Sequence, residues 1–248
     1  MNSTLNMSAV SSSQLIRMRS EDESIKSTRT VAWFSQSYKS AATTLEECVK
    51  DLITEPSLRE AYVARVREHI VQTVGVRAAI EQFGLTPLEA ECIIIYTLEA
   101  SDVVEGRSSS DSFYRKFNQI LYKRSEGGIT QLADYVYHVR KGLEKVPSVC
   151  SPGQTATLYR GIDCCVTSCS AQYKQGEQVV WTAFSSCTQN KAVMPDFGKG
   201  TRFLLQVERG LACPPLVRLN LVPLFMLHNM NCDAIRCKVS HDQFLPKP

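Results

Sequence analysis

The hydrophobic pattern changes period once, at Ser148, and that change limits what the chain can fold into. Before it, apolar residues recur at three- and four-residue spacing, the repeat of a helix face. Thr44 with Glu47 reads as a capping box opening a helix over residues 45–53. Pro56 opens a longer run in which Leu58, Ala61, Tyr62, Val66, Ile70 and Val74 fall on one stripe, and Gly84 ends that stretch. Thr86-Pro87-Leu88-Glu89 starts another helix, with a capping box and a proline at the first position, where its missing N–H is not needed. Phe113, Phe117, Ile120 and Leu121 mark a third region, expected to stop near Gly127-Gly128, with residues 108–110 as the preceding loop. Leu132, Val136, Val139 and Leu143 mark the last, stopped by Pro147. After Ser148, short runs rich in Val, Leu and Phe lie between Gly and Pro, at 157–160, 178–183, 202–208 and 234–239. Helices followed by strands, rather than alternating with them, predict an α+β fold.

A chain of 248 residues suits one compact domain or two closely packed subdomains. The expected organisation is a tail over residues 1–40 and one domain over 41–248, divided into a helical part (41–147) and a β core (148–248). The tail reads as disordered, with a weak echo of a transit peptide in Arg17 and Arg19 and the lack of acids among the first twenty residues. Trp33-Phe34 and Tyr38 offer it a way to dock on the domain. A net charge of +3 argues against a nucleic-acid partner, and the apolar runs near residues 92–95 and 221–227 are too short to cross a bilayer. With no apolar h-region after Met1, the expectation is a cytoplasmic monomer.

Two of the strand-like runs carry chemistry. Leu158-Tyr159 delivers Arg160 on a rigid strand, where a guanidinium can clamp a phosphate through two parallel hydrogen bonds. Gly161 follows, lacking the Cβ that would hold a ligand away from the backbone. Val179-Val180-Trp181 runs into Phe184-Ser185-Ser186, an aromatic face beside two hydroxyls. Neither a GxxxxGK[ST] phosphate loop nor a GxGxxG turn is present, which argues against kinase or Rossmann chemistry. No cysteine sits in a nucleophile elbow, which argues against a Cys/His hydrolase. His228, Cys232, Cys237 and His241 are zinc-type ligands, but no CxxC pair anchors them, and no metal is expected.

In this order, the residues resemble the arginine-specific mono-ADP-ribosyltransferase family, whose motifs are an arginine, a Ser-x-Ser-like strand and a Glu-x-Glu loop. Leu158-Tyr159-Arg160-Gly161 matches the first, with Arg160 as the motif arginine. Ala183-Phe184-Ser185-Ser186-Cys187-Thr188 matches the second, with Ser186 as the motif serine and Cys187-Thr188 where the family often has Thr-Ser. Thr86 through Thr97 and Phe113-Tyr114-Arg115-Lys116-Phe117-Asn118 look like the family's leading helices, so the likeness covers roughly residues 84–208. The Glu-x-Glu motif is not matched: residues 209–248 hold no glutamate, and their only acids are Asp233 and Asp242. Where the loop belongs, the chain reads Leu219-Asn220-Leu221-Val222-Pro223-Leu224-Phe225-Met226.

The resemblance implies a helical subdomain packed on a mixed β core of two small sheets, with an NAD cleft between them. It implies NAD or NADP as a consumed substrate and transfer of ADP-ribose to a protein acceptor, at arginine, with release of nicotinamide. Arg160 would pin the pyrophosphate, Gly161 would meet the nicotinamide amide, and Phe184 or Tyr159 would face a ring. Ser186 would hold the ribose or orient a carboxylate. Asp233, or else Glu208, would have to serve as the acid. The alternative is a degenerate, non-catalytic member that binds NAD or a protein partner.

Ten cysteines would suggest disulfides in a secreted chain, but Cys164 and Cys165 are adjacent and Cys48 and Cys92 lie in helical patterns. Most are therefore expected to be free thiols. Counting thiols on the unfolded protein, purified without reductant and away from air, should find most of them reactive. Four or more disulfides would place the chain in an oxidising compartment.

Overall fold

The computed structural model describes residues 38–123, 126–146, 154–162, 184–192, 201–207, 224–227 and 235–239. The described helices are α1 (Leu45–Val49), α2 (Pro56–Gln72), α3 (Val74–Gln82), α4 (Pro87–Ile95), α5 (Ala100–Val103), α6 (Phe113–Lys123), α7 (Glu126–Gln131) and α8 (Ala133–Lys145). A 3₁₀ turn, Ser109–Asp111, stands where the loop before Phe113 was expected. The strands are β1 (Ala156–Ile162), β2 (Ser185–Thr188), β3 (Thr201–Val207), β4 (Leu224–Leu227) and β5 (Ile235–Val239). The fold is α+β.

Both expected capping boxes form. The Glu47 amide donates to Thr44 Oγ1 at 3.3 Å while the Thr44 amide donates to Glu47 Oε2 at 3.2 Å. The Glu89 and Thr86 pair does the same at 3.2 and 2.8 Å. Each box satisfies amides that a helix start leaves without a carbonyl partner. Gly84 ends α3 with φ of +59°, the left-handed conformation that glycine adopts without strain. The Leu85 amide then donates to Ile80 O and the Gly84 amide to Glu81 O, closing a Schellman motif.

Three local expectations are corrected. The stripe through Ile70 and Val74 is not one helix: Thr73 adopts extended backbone (φ −99°, ψ 99°), α3 restarts after it, and Val74 is 81% exposed. Gly127 and Gly128 do not stop a helix but lie inside α7. Leu224–Leu227, part of the apolar run read as a loop position, is strand β4, hydrogen-bonded in register along β2. The expected strand over residues 178–183 lies outside the described residues.

The sheet order is β4-β2-β1-β3-β5, so β1 lies at the centre. Its pairing with β3 runs in register from Ala156↔Val207 to Ile162↔Thr201. Of the mixed β core of two small sheets that the resemblance implies, the described strands form one sheet, in which the pairings are antiparallel. β2 and β3 flank β1, and β4 and β5 extend the same ladder outward. Alternation along β1 puts Leu158 and Arg160 on a buried face with their register partners Leu205 and Phe203. Thr157 is exposed, while Tyr159 and its partner Leu204 are half-buried on the other face.

Residues 38–43 lie along α8. Tyr38 Oη and Ser40 Oγ both donate to Asp134 Oδ1 at 2.6 Å, and the Tyr38 ring meets Tyr137 edge-on at 6.4 Å. The hydrogen bond to Asp134, helped by burial, pushes the Tyr38 hydroxyl up to about 12. Tyr38 therefore docks as expected, at the end of a tail whose first 37 residues lie outside the described ones.

Helices α4 and α8 meet across Gly142, where a methyl group would stand 2.9 Å from Ile93 Cδ1 and 3.1 Å from Glu89 Cβ. Three residues on, Lys145 Nζ donates to Glu89 Oε2 at 2.6 Å and to Gly84 O at 3.1 Å. Burial pushes the Glu89 carboxyl up, but Lys145 and the Thr86 amide and hydroxyl outweigh it and leave it below the usual carboxylate range. Gly142→Ala is expected to destabilise the fold by about 1–3 kcal/mol, because overpacking outweighs the gain of roughly 1 kcal/mol in helix propensity. Gly75 has no atom within 4 Å of an added Cβ, so Gly75→Ala should stabilise by about 0.4–1 kcal/mol. Denaturant unfolding of both variants checks the pair; equal effects would mean that the α4–α8 contact is slack.

Candidate functional site

The site residues expected from the sequence fall on two neighbouring strands. Arg160 lies on β1 with 6% of its surface exposed, between the half-buried Tyr159 and the buried Gly161. Burying a guanidinium removes a cation from water, which folding tolerates only when its donors are met. Arg160 is not without an interaction partner. Gly161 is in register with Arg202 of β3.

Ser186 lies on β2, whose Thr188 is the register partner of Tyr159 on β1. Arg160 is therefore one step along β1 from the rung that joins the two strands, and Ser186 is two residues before it on β2. On its other side, β2 pairs with β4, Ser186 facing Met226 and Ser185 facing Leu227 in the ladder. Cys187 and Thr188 are buried, and Thr188 Oγ1 accepts from the Asn190 amide at 3.0 Å, which turns the chain out of the strand.

Phe184 is not placed as expected. Its ring was to offer a face to a ligand, but it is 2% exposed and belongs to the helical core. It stacks on Phe117 with centroids 5.4 Å apart and meets Tyr96 edge-on at 5.5 Å. Those contacts occupy the ring, so of the two aromatic candidates only the half-buried Tyr159 keeps open surface.

The sequence reading did not single out the two polar residues that hold Phe184. Tyr96 Oη donates to the Phe184 carbonyl at 3.2 Å, and Asn118 Nδ2 donates to Tyr96 Oη at 2.8 Å. Both residues were visible only as parts of helical motifs. Their spacing of 22 positions carries no signal until α4 and α6 are packed.

Asp233, the substitute acid, and its alternative Glu208 both lie outside the described residues. The pairing of β4 with β2 sharpens the question of the acid. Residues 209–232, which lead into β4 and out of it, contain neither aspartate nor glutamate. The strand beside the Ser186 strand is thus approached by a segment with no carboxylate.

Other chemistries find little here. Burial, and then the Cys48 thiol beside it, push the Cys92 thiol well above its usual range, so it stays protonated and unreactive. Cys48 and Cys92 are free and buried, and Cys187 is buried on β2. Among the described residues no group of His, Cys, Asp and Glu could hold a metal, and of the four zinc-type residues only Cys237 is described, on β5. Among those residues, too, no helix is long and apolar enough to cross a membrane.

No family model, curated protein or solved structure matches the chain. A functional reading therefore rests on its residues and on the geometry of β1 and β2.

Arg160→Lys keeps the charge but loses the two-pronged geometry. If Arg160 clamps a pyrophosphate, NAD affinity should fall by roughly 1.5–3 kcal/mol. Calorimetric titration of NAD into both proteins measures this, with thermal unfolding alongside to separate lost binding from lost stability. Equal affinities would make Arg160 a purely structural residue.

Proposed function

We propose that the chain is an ADP-ribosyltransferase-like protein that takes NAD as a substrate and transfers its ADP-ribose to a protein side chain, arginine by resemblance. The observation that carries the reading is the adjacency of β1, with the buried Arg160, and β2, with Ser185-Ser186. The two motifs that the resemblance pairs are more than twenty residues apart in the sequence and neighbours in the sheet. With the reading comes the fold of that class, a second small sheet and an NAD cleft between the two.

In this chemistry the bond between nicotinamide and ribose C1′ breaks, and nicotinamide leaves with the electron pair. The ribosyl carbon becomes oxocarbenium-like and needs a negative charge nearby, as in glycoside hydrolysis. A nitrogen of the acceptor guanidinium then bonds to C1′ and gives its proton to a base. Arg160 fits the pinning of the pyrophosphate, Gly161 the nicotinamide amide, and Ser186 the ribose or the orientation of the acid. Asp233 or Glu208 would supply the carboxylate.

A second reading is favoured by one observation, the lack of any acid across residues 209–232, which flank β4. In it the protein binds NAD, or a partner protein through the same surface, without turnover. Loss of one well-placed electrostatic group costs about 10²–10³ in rate, and loss of general-base help about 10²–10⁴ more.

The expected outcome is NAD binding with weak or undetectable nicotinamide release. The measurement is nicotinamide release with and without an arginine-rich acceptor, for wild type and Asp233→Asn. Strong turnover lost in Asp233→Asn would identify Asp233 as the acid and remove the non-catalytic reading. Strong turnover that survives the change would move the acid to Glu208, or to Glu177, the glutamate directly before the run at 178–183. Neither binding nor release would remove the transferase and the NAD-binding readings and leave only a protein partner for that surface.

A further inference from the structure

The hydrogen-bond chain from the helices to β2 ends on the backbone. Asn118 Nδ2 donates to Tyr96 Oη, and Tyr96 Oη donates to the carbonyl of Phe184, the residue directly before Ser185. With its oxygen accepting from the amide, the tyrosine hydroxyl directs its own hydrogen at that carbonyl, and each bond polarises the next. Asn118 is buried, and its Oδ1 has no hydrogen-bond partner among the described residues. Its amide meets this chain through its donor end alone.

The peptide unit between Phe184 and Ser185 is planar, so the direction of its C=O also sets the direction of the Ser185 N–H. Ser185 is the first residue of β2 and the register partner of Leu227. Packing of the Phe184 ring on Phe117 and Tyr96 fixes where the residue sits but is only loosely directional. A hydrogen bond to the carbonyl fixes how the plane is turned.

We infer that Tyr96 and Asn118 are positioning residues: from the helical core they orient the peptide that starts β2, and so seat Ser185-Ser186 beside the strand of Arg160. The functional part of this inference rests on the reading of β1 and β2 as an NAD site. The structural part does not.

Tyr96→Phe keeps the ring and removes the hydroxyl. Amide hydrogen exchange without NAD is expected to quicken about tenfold at residues 185–188, the scale of one lost hydrogen bond, with β1 and α8 unchanged. Asn118→Leu should shift the same amides in the same direction by a smaller factor, and it stands in if Tyr96→Phe does not fold. Unchanged exchange at β2, or a uniform rise across β1, β2 and α8, would overturn the inference. NAD titrated into the same proteins should bind about three- to tenfold more weakly to Tyr96→Phe than to wild type. A wild type that binds no NAD would remove the functional reading, while the exchange result alone decides the positioning role. Equal NAD affinity with altered exchange would overturn the link to the site.

Discussion

The Phe184 ring lies between Phe117 and Tyr96, and on this contact the relation of helices to sheet depends. It joins two parts of the chain whose hydrophobic patterns differ in period, and it does so one residue before β2 begins. Pairs of this kind add about 0.5–1.5 kcal/mol each beyond the area that they bury. Around it the rings continue, Phe113 and Phe117 packing on Tyr135 at 4.7 and 5.1 Å. The buried tyrosines spend their hydroxyls on backbone far away in sequence. Tyr62 Oη accepts from the Phe113 amide, Tyr135 Oη donates to the Cys92 carbonyl, and Tyr96 Oη donates to Phe184. Each buries a large ring and leaves no hydroxyl unmet, so the core gains direction as well as area.

A second constraint sits below that core. Gly142 lets α8 approach α4 closely, and the same stretch of α8 brings Lys145 onto Glu89 and Gly84. One ammonium thus reaches both the glycine that ends α3 and the capping box that starts α4. Glu89 is nearly buried, and its charge is sustained by that ammonium and by the donors of Thr86. Removing Lys145 would leave the buried Glu89 carboxylate with the Thr86 donors alone, which costs more than the pair contributes. The helical framework that carries Tyr96 is held in this way from its far end.

The local devices were legible because each acts within a few residues. Thr44 with Glu47, Thr86 with Glu89, and Gly84 need only neighbouring backbone, and all three form as read. The β1 and β3 runs were legible from their composition and so was β5, while the apolar run at Leu224–Leu227, where the resemblance would place a loop, was not read as a strand. Periodicity alone cannot tell a short buried strand from another apolar segment. The break at Thr73 was hidden for a related reason: apolar residues stayed on the expected stripe while the backbone left it.

Of the candidate site, residue types and order were visible in the sequence, and neighbourhood was not. Arg160 and Ser186 could be chosen one at a time from what guanidinium and hydroxyl groups do. Their placement on adjacent strands is a property of the sheet, because register is set by pairing between distant segments. The same holds for Phe184, whose ring could serve a ligand or the core with equal ease until the helices were packed against it. The sequence by itself determined the capping boxes at Thr44 and Thr86, the stop at Gly84, the change of period at Ser148 and the lack of an acid over residues 209–232, since these are local or compositional. Only the tertiary structure decided that β4 pairs with β2, that Phe184 belongs to the core, and that Tyr96 and Asn118 reach the start of the serine strand. Those contacts join residues far apart along the chain, and no local preference encodes them.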